Sequence, residues 1–166
     1  QRLTLDIDPF DDPTHGQQQL TFFHGYYRQY QYLPRAITCA ENDLVLSLCL
    51  LYGSAHPALG ADEDLEYVVR RLREAWPEVE IHLRGDSGFG RDDIMSWAES
   101  ERIGYVFGIQ RNSRLEQRIA AEMNRAQRRY RQSGHAARFY KDFLYRTRDS
   151  WSRARRVIGK AEFLSK

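Results

Sequence analysis

Asp8 and Asp86 are the two residues whose type and position point most directly to chemistry. Asp8 closes the alternating stretch Leu3-Thr4-Leu5-Asp6-Ile7-Asp8, and Asp86 sits in Leu83-Arg84-Gly85-Asp86-Ser87-Gly88-Phe89-Gly90, just past a second strand-like run. If those two strands are neighbours, both carboxylates emerge on one edge of a sheet. Hard oxygen ligands of this kind suit Mg²⁺ (or Mn²⁺), which fills its remaining positions with water and substrate phosphate. Two such ions roughly 3.5–4 Å apart stabilise the attacking and leaving oxygens of an in-line phosphoryl displacement. The plainer alternative is a turn residue before Pro9 and a helix cap at Asp86, and spacing leaves both open. Asp6 shares a face with Asp8 and is the alternative first ligand; repulsion between them would favour a cation or a raised pKa.

The remaining candidates carry less. Asp11 and Asp12 precede Pro13-Thr14-His15-Gly16, a turn sequence, and His15 is a lone loop histidine. Gly85 to Gly90 lacks the spacing and the lysine of a phosphate-binding loop. No Cys or His pair has metal spacing, and no nucleophile elbow is present.

Positioning these residues requires an α/β arrangement. Residues 3–8 alternate with the period of a strand, which Pro9 ends. Phe10 to Gln19 reads as a loop, and the aromatic stretch Leu20 to Tyr32 favours no single element. Leu33 to Ala40 and Leu44 to Tyr52 form a hairpin around Glu41-Asn42-Asp43. Asp62 or Asp64 is expected to cap a helix that runs through Leu65, Val68, Val69, Leu72 and Trp76 to Pro77. A strand at 79–84, a helix opened by Asp92 and Asp93, and a fully apolar strand at 104–109 follow, the last expected at a buried central position. Three leading antiparallel strands, then two parallel ones reached by helical crossovers, is the strand order of a ribonuclease-H-like mixed sheet with flanking helices. A generic α/β sheet fits the same pattern.

Beyond Gln110 the character changes. Ser113 to Gln132 carries Leu115, Ile119, Met123, Ala126 and Tyr130 on one helical stripe, with arginines elsewhere and Gly134 as a stop. Arg138 to Arg146 and Trp151 to Phe163 alternate aromatic or aliphatic with basic residues. The expected organisation is therefore a core over residues 1–110 and the start of a basic, β-containing unit over 111–166.

Composition bounds the class. The chain has 166 residues, 42% hydrophobic and 29% charged, with no run approaching a bilayer span. Cys39 and Cys49 are too few for a disulfide framework and read as buried thiols of a cytosolic protein. The net charge of +2 hides an asymmetry: residues 1–110 hold 9 basic and 18 acidic side chains, residues 111–166 hold 16 and 5. An arginine-dominated basic third is the footprint expected of a polyanion partner, although a solvated face would look the same. The chain opens at Gln1 directly into a strand-like stretch, which reads as a cut fragment.

Several motifs occur together in one order. They are Leu5-Asp6-Ile7-Asp8 with Asp11-Asp12-Pro13-Thr14-His15-Gly16-Gln17-Gln18-Gln19, Phe23-His24-Gly25-Tyr26-Tyr27, Tyr32-Leu33-Pro34 and Arg84-Gly85-Asp86-Ser87-Gly88-Phe89. Ser150-Trp151-Ser152, Arg155-Arg156-Val157 and Lys160-Ala161-Glu162 follow. This set resembles the DDE transposases of bacterial insertion sequences. The resemblance implies a ribonuclease-H-like core in which two Asp and one Glu hold two divalent ions, with Asp8 as the first carboxylate and Asp86 as the second. Pro9 and Phe10 depart from the small residue and threonine usual in the family, and 53–61 lacks its Arg-Pro-Gly-Asn-like turn. The family's third acid lies in a Tyr, Arg, Glu, Lys signature; around Glu162 the corresponding positions hold Arg156 and Ile158. The chain therefore reads as a truncated transposase with two of three ligands.

The implied activity of the intact protein is DNA cleavage followed by strand transfer from the freed 3′-hydroxyl. The implied partner is double-stranded DNA, at element ends and target, with a homodimer possible in the DNA complex. The implied setting is the bacterial cytoplasm, at the nucleoid and away from membranes. Arg153, Arg155, Arg156 and Lys160 are the expected backbone contacts. Trp151 is the candidate for stacking on a displaced base, with core filling as its alternative. Two rival readings are an inactive DNA-binding remnant of a mobile element and a stand-alone metal-dependent nuclease.

Overall fold

The computed structural model describes residues 1–164, which form two compact units, Gln1–Ile109 and a second beginning at Gln110. In the first, the strands are β1 (Arg2–Pro9), β2 (Asp12–Pro13), β3 (Phe22–His24), β4 (Gln29–Cys39), β5 (Leu44–Tyr52), β6 (Glu80–Gly85) and β7 (Gly104–Phe107). The helices α1 (Ala61–Ala75) and α2 (Asp92–Ser100) lie between β5, β6 and β7 in sequence. Among the described residues one sheet joins these strands: β5 and β1 flank β4 antiparallel, β6 lies parallel to β1, and β7 parallel to β6. The order β5-β4-β1-β6-β7 is that of a ribonuclease-H-like mixed sheet.

Alternation in β1 and β6 sends Leu5, Ile7, Ile81 and Leu83 to one face, where they are buried with Leu65, Val68 and Val69 of α1 and Ile94 and Ala98 of α2. Asp6, Asp8 and Arg84 take the opposite face. The unassigned aromatic stretch becomes β3 and the start of β4, a hairpin whose turn is closed by Arg28 at φ 56° and by its amide donating to the His24 carbonyl. Past the far end of β4, Glu41 ties the β4–β5 turn to β1, accepting from the Thr4 amide through both carboxylate oxygens (3.0 and 2.9 Å).

Two local expectations need correction. The cap of α1 is Gly60 at φ 65°, not an aspartate. Asp62 and Asp64 fall in the first turn, where their charge still suits the helix N-terminus, but Asp64 accepts from buried Arg35 (2.5 Å). The apolar strand β7 pairs with β6 alone among the described residues and leaves Val106 69% exposed. Tyr105 and Phe107 turn to the core, so the run is apolar on both faces without being central.

The second unit contains α3 (Ser113–Ser133) and a hairpin of β8 (Ala137–Tyr145) and β9 (Arg155–Phe163). Asn112 caps α3 by accepting from the Leu115 amide (3.0 Å), and Gly134 ends it. Ala126 is fully buried, Tyr130 meets Phe163, and Gly159 lies where any side chain would strike Ile119. Met123, expected on the inner stripe, is 37% exposed. Trp151 lies in the loop before β9, not in the strand.

Candidate active site

The last paired positions of β1 and β6 are Ile7 and Gly85, so Asp8 and Asp86 are the next residue on each of two adjacent parallel strands. Neighbouring strands run about 4.8 Å apart, so both acids start from one edge at the same height. The structure therefore brings together the two residues singled out by type and position. Asp8 is held above the ordinary carboxylate range, first by partial burial, then by the charge of Asp86, then by that of Asp6. The Asp86 effect is an electrostatic record of the proximity of the two carboxylates.

Asp6 lies on the same face but is already committed. Arg84, its partner across β1 and β6, donates Nε to Oδ1 (2.6 Å) and Nη2 to Oδ2 (2.5 Å). A carboxylate gripped at both oxygens has little left for a metal, so the geometry favours Asp8 as the first ligand. The same pair commits Arg84 to Asp6, and no cation is among the groups that act on Asp8.

The turn after β6 fixes Asp86. Its Oδ1 accepts from the Gly88 amide (2.7 Å), and Phe89 is fully buried beneath the turn. Gly108, beyond β7, presses on the same turn: its amide donates to the Gly85 carbonyl (3.1 Å), and a Cβ there would lie 2.9 Å from the Ser87 nitrogen. Glycine at these positions thus serves close backbone approach.

Tyr27 is the residue that reading the sequence missed. It sits on the β3–β4 turn, packed against Leu33, Leu51 and Ala55, with the His24 ring 5.0 Å away. Burial, then the charges of Asp11, Tyr26, Asp8 and Asp86, raise its phenol above the ordinary value. Its one signal is the Phe23-His24-Gly25-Tyr26-Tyr27 motif, to which the sequence by itself attaches no role. Asp11 accepts from Gln29 (2.8 Å), which holds the loop after β1 to β4. Asp12 pairs with β4 through the backbone, and His15 is exposed in the loop beyond.

Among the described residues, no group of three or more His, Cys, Asp or Glu could hold a metal ion. The donor set present is therefore two carboxylates. Their type fits Mg²⁺ or Mn²⁺, their repulsion favours a cation, and their number leaves most positions to water and substrate oxygen.

The expected DNA contacts of the second unit do not form one exposed cluster. Trp151 is 6% exposed, with the Tyr145 ring edge-on at 5.9 Å and the Arg155 guanidinium 5.7 Å from its centre. Arg155 is 5% exposed. These two pack together inside the unit, and a base has no open indole face to stack on. Arg156 pairs with Asp142 (2.6 Å) and Lys160 with Glu162 (2.8 Å). Arg153 is exposed in the preceding loop.

A family model for the transposase DDE domain, group 1, matches residues 1–166. The chain belongs to that family of DDE transposases. Its members act in DNA transposition and generally use divalent metal ions. No curated protein matches the chain. Among solved structures, it is similar to the Mos1 transposase paired-end complex with left transposon end, at 15% identity and a TM-score of 0.41, over 63% of this chain and 34% of that one. It is also similar to the piggyBac transposase synaptic complex with hairpin DNA, at 13% identity and a TM-score of 0.46, over 93% of this chain and 32% of that one. The chain spans about a third of the length of each. No helix among the described residues of this DDE chain is long and apolar enough to cross a membrane.

Proposed function

We propose that this chain supplies the two-aspartate half of a transposase centre that cuts DNA at an element end and joins the freed 3′-hydroxyl to another phosphodiester. One observation carries the reading: Asp8 and Asp86 follow the last paired positions of two adjacent parallel strands, and the charge of Asp86 helps to raise the pKa of Asp8. When bound there, divalent ions activate the attacking oxygen and offset the charge of the phosphoryl group in transfer. Asp8 and Asp86 hold and orient them. The Asp6–Arg84 pair keeps a third carboxylate out of the way, and the Phe89-anchored turn keeps Asp86 at the strand end. Tyr27 lies close enough for both carboxylates to act on its phenol. The substrate is double-stranded DNA, and the setting is the bacterial cytoplasm.

With no group of three or more such ligands able to hold a metal among the described residues, the chain alone is expected to bind Mn²⁺ without cutting. Calorimetric titration with Mn²⁺ tests this: binding should occur and should be lost in Asp8→Asn and in Asp86→Asn. Binding unchanged in both variants would remove the acid pair as the metal site. A chain that binds duplex but no Mn²⁺ would select the rival reading, an inactive DNA-binding remnant. Metal-dependent cleavage abolished by Asp86→Ala would instead indicate a self-sufficient nuclease.

A further inference from the structure

Arginines of α3 share a face. At 3.6 residues per turn, Arg114, Arg118, Arg125, Arg128 and Arg129 fall within about 100° of arc, spread along about 22 Å of helix. All five are exposed. The two acidic residues of the helix lie off this arc: Glu116 pairs with Arg111, and Glu122, on the inner side, meets Lys141. Among the described residues, the guanidinium groups of Arg118, Arg128 and Arg129 have no ion-pair partner. Arg114 and Arg125 are braced instead, lying 5.3 Å from the Tyr145 ring centre and 4.3 Å from that of Phe139.

We infer that this face of α3, rather than β9, is where the chain grips the sugar–phosphate backbone of duplex DNA. The inference rests on the DNA-acting reading above but does not depend on the acid pair. Charge complementarity selects the occupant. Each DNA strand presents a phosphate about every 3.4 Å along the axis, so a ridge about 22 Å long can meet several at once. Guanidinium forks match phosphate oxygens bidentately, and ring-braced arginines lose less freedom on binding. Between the arginines the arc holds Ala121 and Gln132. It therefore lacks the apolar face that an interfacial helix inserts into lipid, and the aromatic anchors that dominate protein interfaces. On β9, by contrast, Arg156 and Lys160 already face carboxylates, and Arg155 is buried. Releasing them would cost the pairs they hold.

The test uses the full chain and a fluorescent 20-base-pair duplex of arbitrary sequence, titrated at several NaCl concentrations. The variant Arg118→Gln/Arg128→Gln/Arg129→Gln removes three groups that hold no ion pair, so its melting temperature should match the parent's. Its affinity at low salt should fall at least about tenfold, and its slope of log K against log salt should flatten by about 2.7, or roughly 0.9 for each phosphate no longer neutralised. The control Arg156→Gln/Lys160→Gln should stay within about twofold of the parent, since these side chains are already engaged by Asp142 and Glu162. An unchanged slope in the α3 variant, or an equal loss in the β9 control, overturns the inference. So does a parent chain that ignores duplex but binds phosphatidylserine vesicles. Mn²⁺ binding measured on the same samples separates the two proposals. A chain that binds Mn²⁺ through Asp8 and Asp86 but does not need α3 for duplex loses only this inference, whereas one that needs α3 but binds no Mn²⁺ loses only the acid pair.

Discussion

Asp8 illustrates how a site can oppose the stability of its own fold. Its folded-state pKa is raised, so ionisation is easier in the unfolded chain than in the folded one. The fold therefore loses stability as pH rises through the ordinary aspartate range and beyond. Asp8→Asn should accordingly raise the melting temperature at pH 7, with a smaller gain at pH 3, where the parent aspartate is protonated. Mn²⁺ at a hundred times its Kd should stabilise the parent by about 2.7 kcal/mol and leave the variant unmoved. Thermal melts with and without Mn²⁺ check both; a destabilised Asp8→Asn at pH 7 would mean the carboxylate is structural. Gly108→Ala is the complementary case. Its new methyl would meet the Ser87 backbone at 2.9 Å, so it should displace the Asp86 turn and weaken Mn²⁺ binding while sparing the second unit.

At the scale of elements, two polar anchors hold the strands and loops that frame the site. Arg35, on β4, is 1% exposed and donates to the carbonyls of Pro57 (2.8 Å) and Leu59 (2.6 Å) as well as to Asp64. It joins the loop after β5 to the first turn of α1. Removing one side of such a pair strands the other, so Arg35→Ala should cost about 3–5 kcal/mol in urea denaturation of the first unit. A loss below about 1 kcal/mol would show that water replaces the guanidinium freely. Glu41 is the second anchor. Hydrogen bonding from Thr4 lowers it from the ordinary 4.5 to about 2. Its contribution is thus fully present above pH 4.5 and is lost as pH falls through about 2. Glu41→Gln should flatten the acid-induced loss of stability in that window, as followed by circular dichroism. An identical acid profile would rule out the Thr4 contact as a source of stability.

At the scale of the molecule, charge and chemistry are divided between the two units: the acid pair belongs to the acidic 1–109 unit and the arginine ridge to the basic one. Hydrogen exchange on the intact chain should separate them. Mn²⁺ should increase protection in β1 and β6, and duplex DNA should protect α3. Mn²⁺ protection spread evenly over both units would contradict a site confined to the first. Within the first unit, α1 and α2 cover one face of the sheet, while the opposite face carries the acid pair and exposes Leu48, Leu50 and Val106.

Much of this architecture is legible in the residues alone. The period of two in residues 3–8, the hairpin at 33–52, the stripe along α3 and its glycine stop follow from side-chain alternation and backbone sterics, which act over a few residues. Those local rules put Asp8 and Asp86 at strand ends and the arginines on a helix. They could not say which strands are neighbours, because β1 and β6 meet across more than seventy residues of chain. That pairing alone brought two distant aspartates to one edge of the sheet, and the same register handed Asp6 to Arg84. Burial was likewise a tertiary decision. Trp151 and Arg155 belong to a segment that mixes aromatic and basic residues in sequence, yet both are buried and lie against each other, with Tyr145 edge-on to the indole. The choice of which basic residues face solvent unpaired thus passed from β9 to α3. The sequence by itself determined the elements and the type of chemistry; partner strands, counter-charges and burial, all long-range, decided which residues are left to perform it.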